Sequence, residues 1–453
     1  MSIKTAVITI LPPVLRKYTA KIEASPLGYR LAKGAFWSLT GALISRGLGL
    51  ISSILVARML GKEGFGELGI IQSTVGMFGV FAGFGMGITA TKYIAEFKIK
   101  DPAKAGRIMS LSGLVAIITG GIISIALVVF APWLAKNTLA APHLSKYLQI
   151  SAGLLFLNAL NGAQNGALSG FEAFKSTAYI NFWAGLTSFP LMVGGVYIAG
   201  LEGAMWGLVA SMGINCLLTD IALRNEVRKA NVPFSLHGCI KEWKLLLCFT
   251  LPSLLSGGVT VQASWICNAM LVNQPNGYIE MGVYTAANQW FGMLLFLPSL
   301  LSNVTLPILS EFLGEKDKIQ SEKMLLYSIK LNAFIVTPIT IVCCLFSPYI
   351  MYLYNESYKS EWIVLIIVLI SAELFSIQKP FSDFLIASGN IWSAYSTNNL
   401  IWSIAYVLIS INFVEYGSIG LSVARLEAYA IGVISIIWVT SMVLKNLSTT
   451  PKR

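Results

Sequence analysis

Charged side chains are scarce in this chain. Only 12% of its 453 residues are Asp, Glu, Lys or Arg, whereas 55% are hydrophobic. A soluble protein has about a quarter of its residues charged, so the composition excludes an ordinary soluble fold. No polar stretch is long enough to form a separate soluble domain. We therefore expect an integral membrane protein.

Histidine is almost missing, and cysteine shows no useful pattern. The two histidines and six cysteines have no metal-site spacing, and most of the cysteines fall within apolar stretches. We interpret the cysteines as small hydrophobic residues. A Walker loop, a zinc motif and a nucleophile elbow are also absent. The sequence thus predicts no enzymatic activity, no metal and no cofactor, and it argues against ATP-driven pumping by this chain alone.

One seven-residue phrase occurs twice, 213 residues apart. Residues 64–70 read GFGELGI and residues 277–283 read GYIEMGV, with Gly, an aromatic residue, Glu and Gly at shared positions. Each copy follows one long apolar stretch and precedes another. Such a match at corresponding points of two hydrophobic halves predicts a duplicated membrane unit.

The number of membrane crossings follows from the length of the apolar stretches, because a crossing helix needs about 20 residues. Twelve stretches qualify. They lie at 34–57, 70–91, 109–131, 147–170, 176–200, 203–223, 245–272, 282–306, 330–353, 362–387, 391–413 and 417–444. We therefore expect an all-α membrane protein of twelve transmembrane helices.

The basic residues predict the orientation. If the N-terminus is cytoplasmic, the cytoplasmic segments carry 23 Lys and Arg residues and the opposite loops carry five. We interpret the net charge of +11 in the same way, as basic loops against anionic lipid and not as a nucleic-acid surface. The sequence thus predicts a plasma-membrane protein with both termini cytoplasmic.

An even number of spans in each half means that both halves enter the membrane in the same direction. We expect two six-helix lobes related by a pseudo-twofold axis along the membrane normal. The predicted boundaries follow the chain. They are an interfacial segment at 1–33, an N-lobe at 34–224, a cytoplasmic linker at 225–244, a C-lobe at 245–444 and a tail at 445–453.

Charge inside a span is costly and marks candidate functional residues. Arg46 lies twelve residues into the first span, at a depth of roughly 18 Å, and no acidic residue shares its helix. A buried pair with Glu373 or Glu427 is one interpretation. We favour a water-filled cavity in which Arg46 binds an anion, because arginine binds phosphate in a bidentate manner and keeps its charge.

The other intramembrane charges that are candidates for function lie in the tenth and twelfth spans. Lys379 and Asp383 are four residues apart, so they either neutralise each other or leave Lys379 to bind an anion. Arg425 and Glu427 are two residues apart and face different sides of their helix, which makes Arg425 a second candidate for anion contact. Glu373 and Glu427 are candidate ion-coupling residues.

Polar uncharged residues form a second group. Amides recur in the fourth, seventh, eighth and eleventh spans, and Asn268 and Gln289 are the candidates for contacts with sugar hydroxyls. Such amides also serve as ordinary hydrogen bonds between helices. The glycine series Gly76, Gly79, Gly83 and Gly87 in the second span indicates close helix packing.

Several short motifs resemble a known family. They are KGAFW at 33–37, VARMLGKEGFG at 56–66, LSGFEAF at 168–174, VYTAA at 283–287 and PILS at 307–310. Their order and the twelve-span layout resemble the Wzx-type O-antigen flippases. These are polysaccharide transporters of the multidrug/oligosaccharidyl-lipid/polysaccharide exporter superfamily, which has a MATE-like fold.

This resemblance implies a function and a site. Members move undecaprenyl-pyrophosphate-linked oligosaccharide across the inner membrane for polysaccharide or O-antigen synthesis, with two lobes around a cavity that opens to each side in turn. Arg46 matches an arginine common in the first span of the family, and we expect it to contact the pyrophosphate. A polysaccharide polymerase or chain-length protein is a candidate partner.

The alternative is a cation-coupled multidrug exporter of the related MATE branch. The resemblance to that branch implies an acidic residue in the first or seventh span, whereas this chain has Arg46 in the first and no carboxylate in the seventh. A major-facilitator carrier is disfavoured because the loop at 92–108 lacks the Gly-Asp-Arg signature of that class. A lipid II flippase usually has two more spans.

Overall fold

Helices account for almost all of the chain that the structure describes. The computed structural model describes residues 26–83, 85–233, 238–314 and 318–449. The expected N-terminal segment, the linker and the tail lie partly outside these ranges. An all-helical fold follows from the composition, because hydrocarbon offers no partners for backbone N–H and C=O groups and a helix satisfies them internally. The prediction of an all-α membrane protein is confirmed.

We number the helices in chain order. They are α1 (Pro26–Gly83), α2 (Met86–Lys100), α3 (Pro102–Trp133), α4 (Ser145–Gly170), α5 (Phe174–Lys229), α6 (Trp243–Val272), α7 (Gly277–Gly314), α8 (Lys318–Leu345), α9 (Ser347–Tyr354), α10 (Trp362–Ala387), α11 (Ile391–Tyr395), α12 (Trp402–Phe413) and α13 (Gly417–Thr449). A π-helical turn, Ser396–Ile401, joins α11 to α12. We call α1–α5 the N half and α6–α13 the C half.

Seven helical segments of the described chain are long and apolar enough to cross a membrane. Three of them, Gly41–Gly83, Phe174–Lys229 and Ile391–Lys445, contain 43, 56 and 55 residues. These lengths exceed the need of a single span, which is about 20 residues. All three are interrupted: α1 breaks at Gly61 and α5 at Ala199–Gly200, while a short turn at Val414–Tyr416 separates α12 from α13.

Two of these breaks use the same backbone conformation at related places in the two halves. Gly200 has φ 57° and ψ −133°, and Gly417 has φ 66° and ψ −141°. Both glycines lie just before the last long helical segment of their half. Positive φ favours glycine because a side chain would clash with the backbone, which explains the residue type at both breaks.

The ends of α4 and α10 also match. After α4 the N–H groups of residues 171, 172 and 173 bond to the carbonyl oxygens of 167, 169 and 168. After α10 the N–H groups of 388, 389 and 390 bond to the oxygens of 384, 386 and 385, an identical pattern 217 residues later. Glu172 and Gly389 take the left-handed conformation that closes each helix.

The two copies of the repeated phrase pack against each other where α1 and α7 cross. A Cβ atom added to Gly66 would collide with the carbonyl oxygen of Tyr278, and one added to Gly282 would collide with the carbonyl oxygen of Lys62. The phrase therefore lies at the contact between the halves, and its glycines allow the two backbones to approach closely.

Candidate functional site between the two halves

Arg46 leaves its own half and reaches the other. Its Nη1 donates a hydrogen bond to the carbonyl oxygen of Gly292 on α7 at 3.1 Å. Its guanidinium lies over the ring of Phe296, 4.6 Å from the centroid. The side chain is exposed, and no carboxylate among the described residues pairs with it. A cation that only a carbonyl dipole and a ring face hold remains available to an anion.

The face of α7 beneath Arg46 is polar and open. Gln289, Gly292 and Phe296 recur at three- and four-residue intervals, so they form one stripe along the helix. Gln289 is partly exposed, and its amide has no hydrogen-bond partner in the described part of the chain. A Cβ atom at Gly292 would meet no atom within 4 Å. Arg46 and Gln289, two of the predicted site residues, therefore face the same open space.

Arg425 contacts α7 from α13 of the C half. It is 8% exposed. Its Nη1 donates to the hydroxyl of Tyr284 at 3.2 Å and to Oδ1 of Asn288 at 2.8 Å. Its guanidinium lies 3.6 Å from the centroid of the Phe291 ring. No carboxylate of the described chain pairs with it. Both predicted arginines thus converge on one turn of α7, although direct contact of Arg425 with a substrate stays a prediction.

Lys379 is engaged within its own helix. Its Nζ lies 2.7 Å from Oδ1 of Asp383, and the buried Asp383 also accepts a hydrogen bond of 2.6 Å from the hydroxyl of Ser302 on α7. The mutual neutralisation that the four-residue spacing allows is therefore present. A lysine in such a pair offers less of its charge to a substrate than Arg46 does, and its role as an anion contact stays a prediction.

Asn268 belongs to a seam that joins the halves. Its Nδ2 donates to the hydroxyl of Ser73 at 2.9 Å, and the indole N–H of Trp265 donates to the hydroxyl of Thr74 at 3.0 Å. Asn268 is 8% exposed. The bond to Ser73 is an ordinary hydrogen bond between helices, which the sequence analysis gave as the alternative to sugar binding. Contact of Asn268 with sugars stays a prediction.

The two candidate coupling carboxylates differ in their surroundings. Glu373 of α10 accepts hydrogen bonds from the hydroxyls of Thr337 and Thr340 on α8, at 2.6 and 3.1 Å. Glu427 of α13 is exposed, and the described residues provide no partner for it. Neither carboxylate pairs with Arg46, so the alternative in which Arg46 is neutralised by one of them is not present in this structure.

Two cavities open beside the helices of the N half. One, of about 410 Å³, is lined by Gln72, Asn158 and the glycines Gly76 and Gly79. Another, of about 230 Å³, is lined by residues that include Ser45, Ser188, Ser211 and Asn215. Gly76 and Gly83 have no atom within 4 Å of an added Cβ. Close packing was therefore the wrong interpretation for these glycines, whereas Gly87 does pack closely against Gly162.

Near Gly61 the two halves are held together by side chains, and we call this region the closed end. Nζ of Lys62 lies 2.9 Å from Oε1 of Glu361 and 5.5 Å from the ring centroid of Tyr358. Nε of Arg58 donates to the carbonyl oxygen of Leu353. These contacts join the N half to α9 and to the segment between α9 and α10.

A second set of contacts at the closed end runs the other way, from the C half to the N half. Nδ2 of Asn273 donates to the carbonyl oxygen of Thr138 at 2.7 Å. The hydroxyl of Tyr278 donates to the carbonyl oxygen of Leu139 at 2.6 Å. The two sets lie at corresponding places of the two halves.

The chain matches two families of known proteins. The family described as "Polysaccharide biosynthesis protein" matches residues 31–313, and a second family, MatE, matches residues 252–408. The chain belongs to the polysaccharide biosynthesis protein family. The family match covers more than half of the chain and includes Arg46, Asn288 and Gln289.

Similar curated proteins are exporters and flippases. The chain is 21% identical over 403 residues to the EPS I polysaccharide export inner membrane protein EpsE of Ralstonia nicotianae, covering 86% of this chain and 89% of that protein. It is 22% identical over 294 residues to the lipid III flippase of Escherichia coli, covering 63% and 69%. Like these family members, the chain is a multi-pass membrane protein.

Solved structures show the same fold. An inward-facing multidrug resistance transporter of the MATE family superposes with a TM-score of 0.78 at 18% identity, covering 92% of this chain and all of the other. The lipid II flippase MurJ in its inward closed conformation superposes with a TM-score of 0.70 at 16% identity, covering 92% and 93%. The fold of this chain is therefore MATE-like.

Proposed function

We propose that the protein is a flippase that carries a pyrophosphate-linked oligosaccharide on a lipid across the membrane. The observation that carries this proposal is Arg46, an exposed cation on the boundary between the halves. Among the described residues, its one hydrogen bond goes to a carbonyl oxygen. A headgroup with two phosphates and many hydroxyls cannot cross hydrocarbon unaided. An arginine in the space between the halves supplies a charge-assisted, bidentate contact for it.

The polar lining supports a glycan as the rest of the headgroup. Gln72 and Asn158 line the larger cavity of the N half, and Gln289 lies beside Arg46 on α7. None of these amides has a hydrogen-bond partner in the described chain, so all three are available to hydroxyl groups. The named exporters and flippases among the relatives support the same substrate class.

We further propose twelve crossings in two six-helix lobes, residues 34–224 and 245–444, with both termini cytoplasmic. The interruptions of the three longest segments and the matching helix ends 217 residues apart support this count. In this arrangement the closed end faces away from the cytoplasm, because the residues near Gly61 follow the first span. Alternating access then requires the contacts of Lys62, Arg58, Asn273 and Tyr278 to break.

A cation-coupled multidrug exporter is the alternative, and the MATE-like fold is compatible with it. The charge between the halves argues against it, because Arg46 repels a cationic drug at that position. No acidic residue of the described chain pairs with Arg46. A flippase of anionic lipid-linked glycan fits the sign of the site. A polysaccharide polymerase or chain-length protein would act on the delivered substrate and is proposed as a partner.

Replacement of Arg46 by Ala tests the proposal. In the source organism we expect the variant to insert normally and to lose most of the surface glycan, while Arg46→Lys retains part because it keeps a point charge. Arg224→Ala is the matched control, since exposed Arg224 pairs with Asp220 on its own helix at 2.7 Å. Normal glycan display by Arg46→Ala at native expression would refute the proposed role.

Ion coupling is a separate proposal that rests on Glu373 and Glu427. Two threonine hydroxyls hold the Glu373 carboxylate, an arrangement able to exchange a proton or a cation during transport. Flipping in proteoliposomes with an imposed proton or sodium gradient should lose its gradient dependence in Glu373→Gln and persist at a basal rate. Transport that ignores both gradients in the wild type would eliminate coupling without affecting the flippase proposal.

A further inference from the structure

Arg425 is a buried cation without a carboxylate partner in the described chain. Its guanidinium is enclosed by aromatic groups of the C half, with Phe291 3.6 Å and Tyr429 5.9 Å away. Burying an unpaired charge destabilises a protein unless polar groups compensate it. The one amide that does so is Asn288, whose Oδ1 accepts a hydrogen bond of 2.8 Å from Nη1. Asn288 is itself exposed, so it lies between the buried Arg425 charge and the open space.

The bond to Arg425 sets the direction of the Asn288 amide. A guanidinium has only donors, so the amide atom that faces it is the carbonyl oxygen. The amide NH2 group then points away from Arg425, where it offers two donors and no acceptor. Asn288 and Gly292 are four residues apart on α7 and therefore lie on one face. The Asn288 donors are thus one helical turn from the carbonyl oxygen on which Arg46 rests.

We infer that Asn288 is a contact for the diphosphate group of the substrate and that Arg425 is the positioning residue behind it. The inference rests on the proposed function and adds a second anion contact to Arg46. Arg46 approaches the diphosphate from the N half, whereas Asn288 approaches it from the C half. The Asn288 donors are polarised by the buried Arg425 charge, which strengthens a hydrogen bond to phosphate oxygen.

The residue types fit an anion better than a neutral sugar. An asparagine that is free to turn presents an acceptor or a donor to a hydroxyl, but the bond from Arg425 engages the Asn288 oxygen and leaves both N–H donors free. Phosphate oxygens are acceptors only. Within the described chain, carboxylate groups pair with neither Arg46 nor Arg425. Two arginine charges therefore act on one turn of α7, which matches the two negative groups of a diphosphate.

If Arg425 had a purely structural role, ligand binding would not depend on the Asn288 donors. The variant Asn288→Asp distinguishes that role from the positioning role. The introduced carboxylate would pair directly with Arg425 and preserve or raise the melting temperature. It would also neutralise the buried charge and replace donors by acceptors. We therefore expect ligand affinity to fall without a loss of stability, a combination that loss of packing cannot produce.

The experiment uses the full-length protein in detergent and measures binding of inorganic pyrophosphate and of a short-chain prenyl pyrophosphate by titration calorimetry. We expect Asn288→Ala to bind about tenfold more weakly than wild type, and Asn288→Asp more weakly still, with unchanged or higher melting temperature. Asn412→Ala is the matched control. Asn412 is exposed, and its side-chain hydrogen bond in the described part of the chain goes to the carbonyl oxygen of Leu408 on its own helix.

The positioning role of Arg425 is tested by a double-mutant cycle. Arg425→Lys keeps the charge but loses the planar fork, so we expect weaker binding in the wild-type background and little further effect with Asn288→Ala. Additive effects, or wild-type affinity in Asn288→Asp, would overturn the inference. If Arg46→Ala weakens binding while the Asn288 variants do not, only this inference fails. Normal glycan display by Arg46→Ala instead removes the proposed function.

Discussion

Gly66 and Gly282 each press against the backbone of the opposite half. Gly66 meets the carbonyl oxygen of Tyr278, and Gly282 meets the carbonyl oxygen of Lys62, so each half packs a glycine against the backbone of the other. Both glycines belong to the phrase that the sequence states twice. The duplicated segment is therefore the place where the halves touch, and a methyl group at either position has no room.

Replacement of either glycine by Ala should hold the closed end apart. The added Cβ collides with backbone, which cannot swing away as a side chain does, and such overpacking costs about 1–3 kcal/mol. We expect Gly282→Ala to lose transport and to lengthen the distance between spin labels at Lys136 and Lys359, on opposite halves, in a cysteine-free background.

Gly113→Ala is the control for this prediction, because a Cβ atom there meets nothing within 4 Å. Labels that stay at the wild-type distance in both Gly66→Ala and Gly282→Ala would contradict the assigned contact.

Lys62 and Glu361 should act as a latch between the halves. Lys62→Glu places two carboxylates together and should open the closed end, whereas the charge swap Lys62→Glu with Glu361→Lys should close it again. The pair is partly buried, and we expect a coupling energy of about 1 kcal/mol that weakens with salt. The same pair of spin labels reports the distance.

Lys146→Glu is the matched control for the latch, because Lys146 pairs with Glu202 inside the N half at 2.7 Å. A swap that fails to restore the distance, while each single variant opens the end, would exclude a direct interaction between Lys62 and Glu361.

Lys379→Met should destabilise the protein more than the double variant Lys379→Met with Asp383→Leu. The single change leaves the nearly fully buried Asp383 carboxylate without its cation, at a cost of about 3–5 kcal/mol, and the double change removes that charge as well. Thermal unfolding in detergent measures both. A single variant as stable as wild type would show that the ion pair does not neutralise Asp383.

Gly76 and Gly87 should respond in opposite ways. Gly76→Leu extends into the cavity of the N half, so we expect an unchanged melting temperature and reduced transport. Gly87→Ala places a Cβ atom 2.8 Å from the carbonyl oxygen of Gly162, so we expect a lower melting temperature. Unfolding curves together with flipping assays separate the two. A destabilised Gly76→Leu that still transports would place the cavity outside the substrate path.

Physical rules of local scope made much of this protein predictable from its sequence. The excess of apolar over charged residues required a helical membrane protein, since hydrocarbon leaves no other way to satisfy the backbone. The depth of Arg46 required a polar environment for it, and the four-residue spacing allowed Lys379 and Asp383 to pair. The repeated phrase indicated a duplicated unit, although it did not indicate how the two copies pack.

Only the tertiary structure decided which distant residues share a site. In the tertiary structure Arg46 contacts α7 of the other half, and Arg425 bonds to Asn288. Asn268 bonds to the N half and so joins the two halves. The tertiary structure also opened space at Gly76 where the sequence indicated close packing. Periodicity orders residues on one helix but contains no information on which face of another helix they meet. That information arises from packing, because the close approach at Gly66 and Gly282 determines how the halves align.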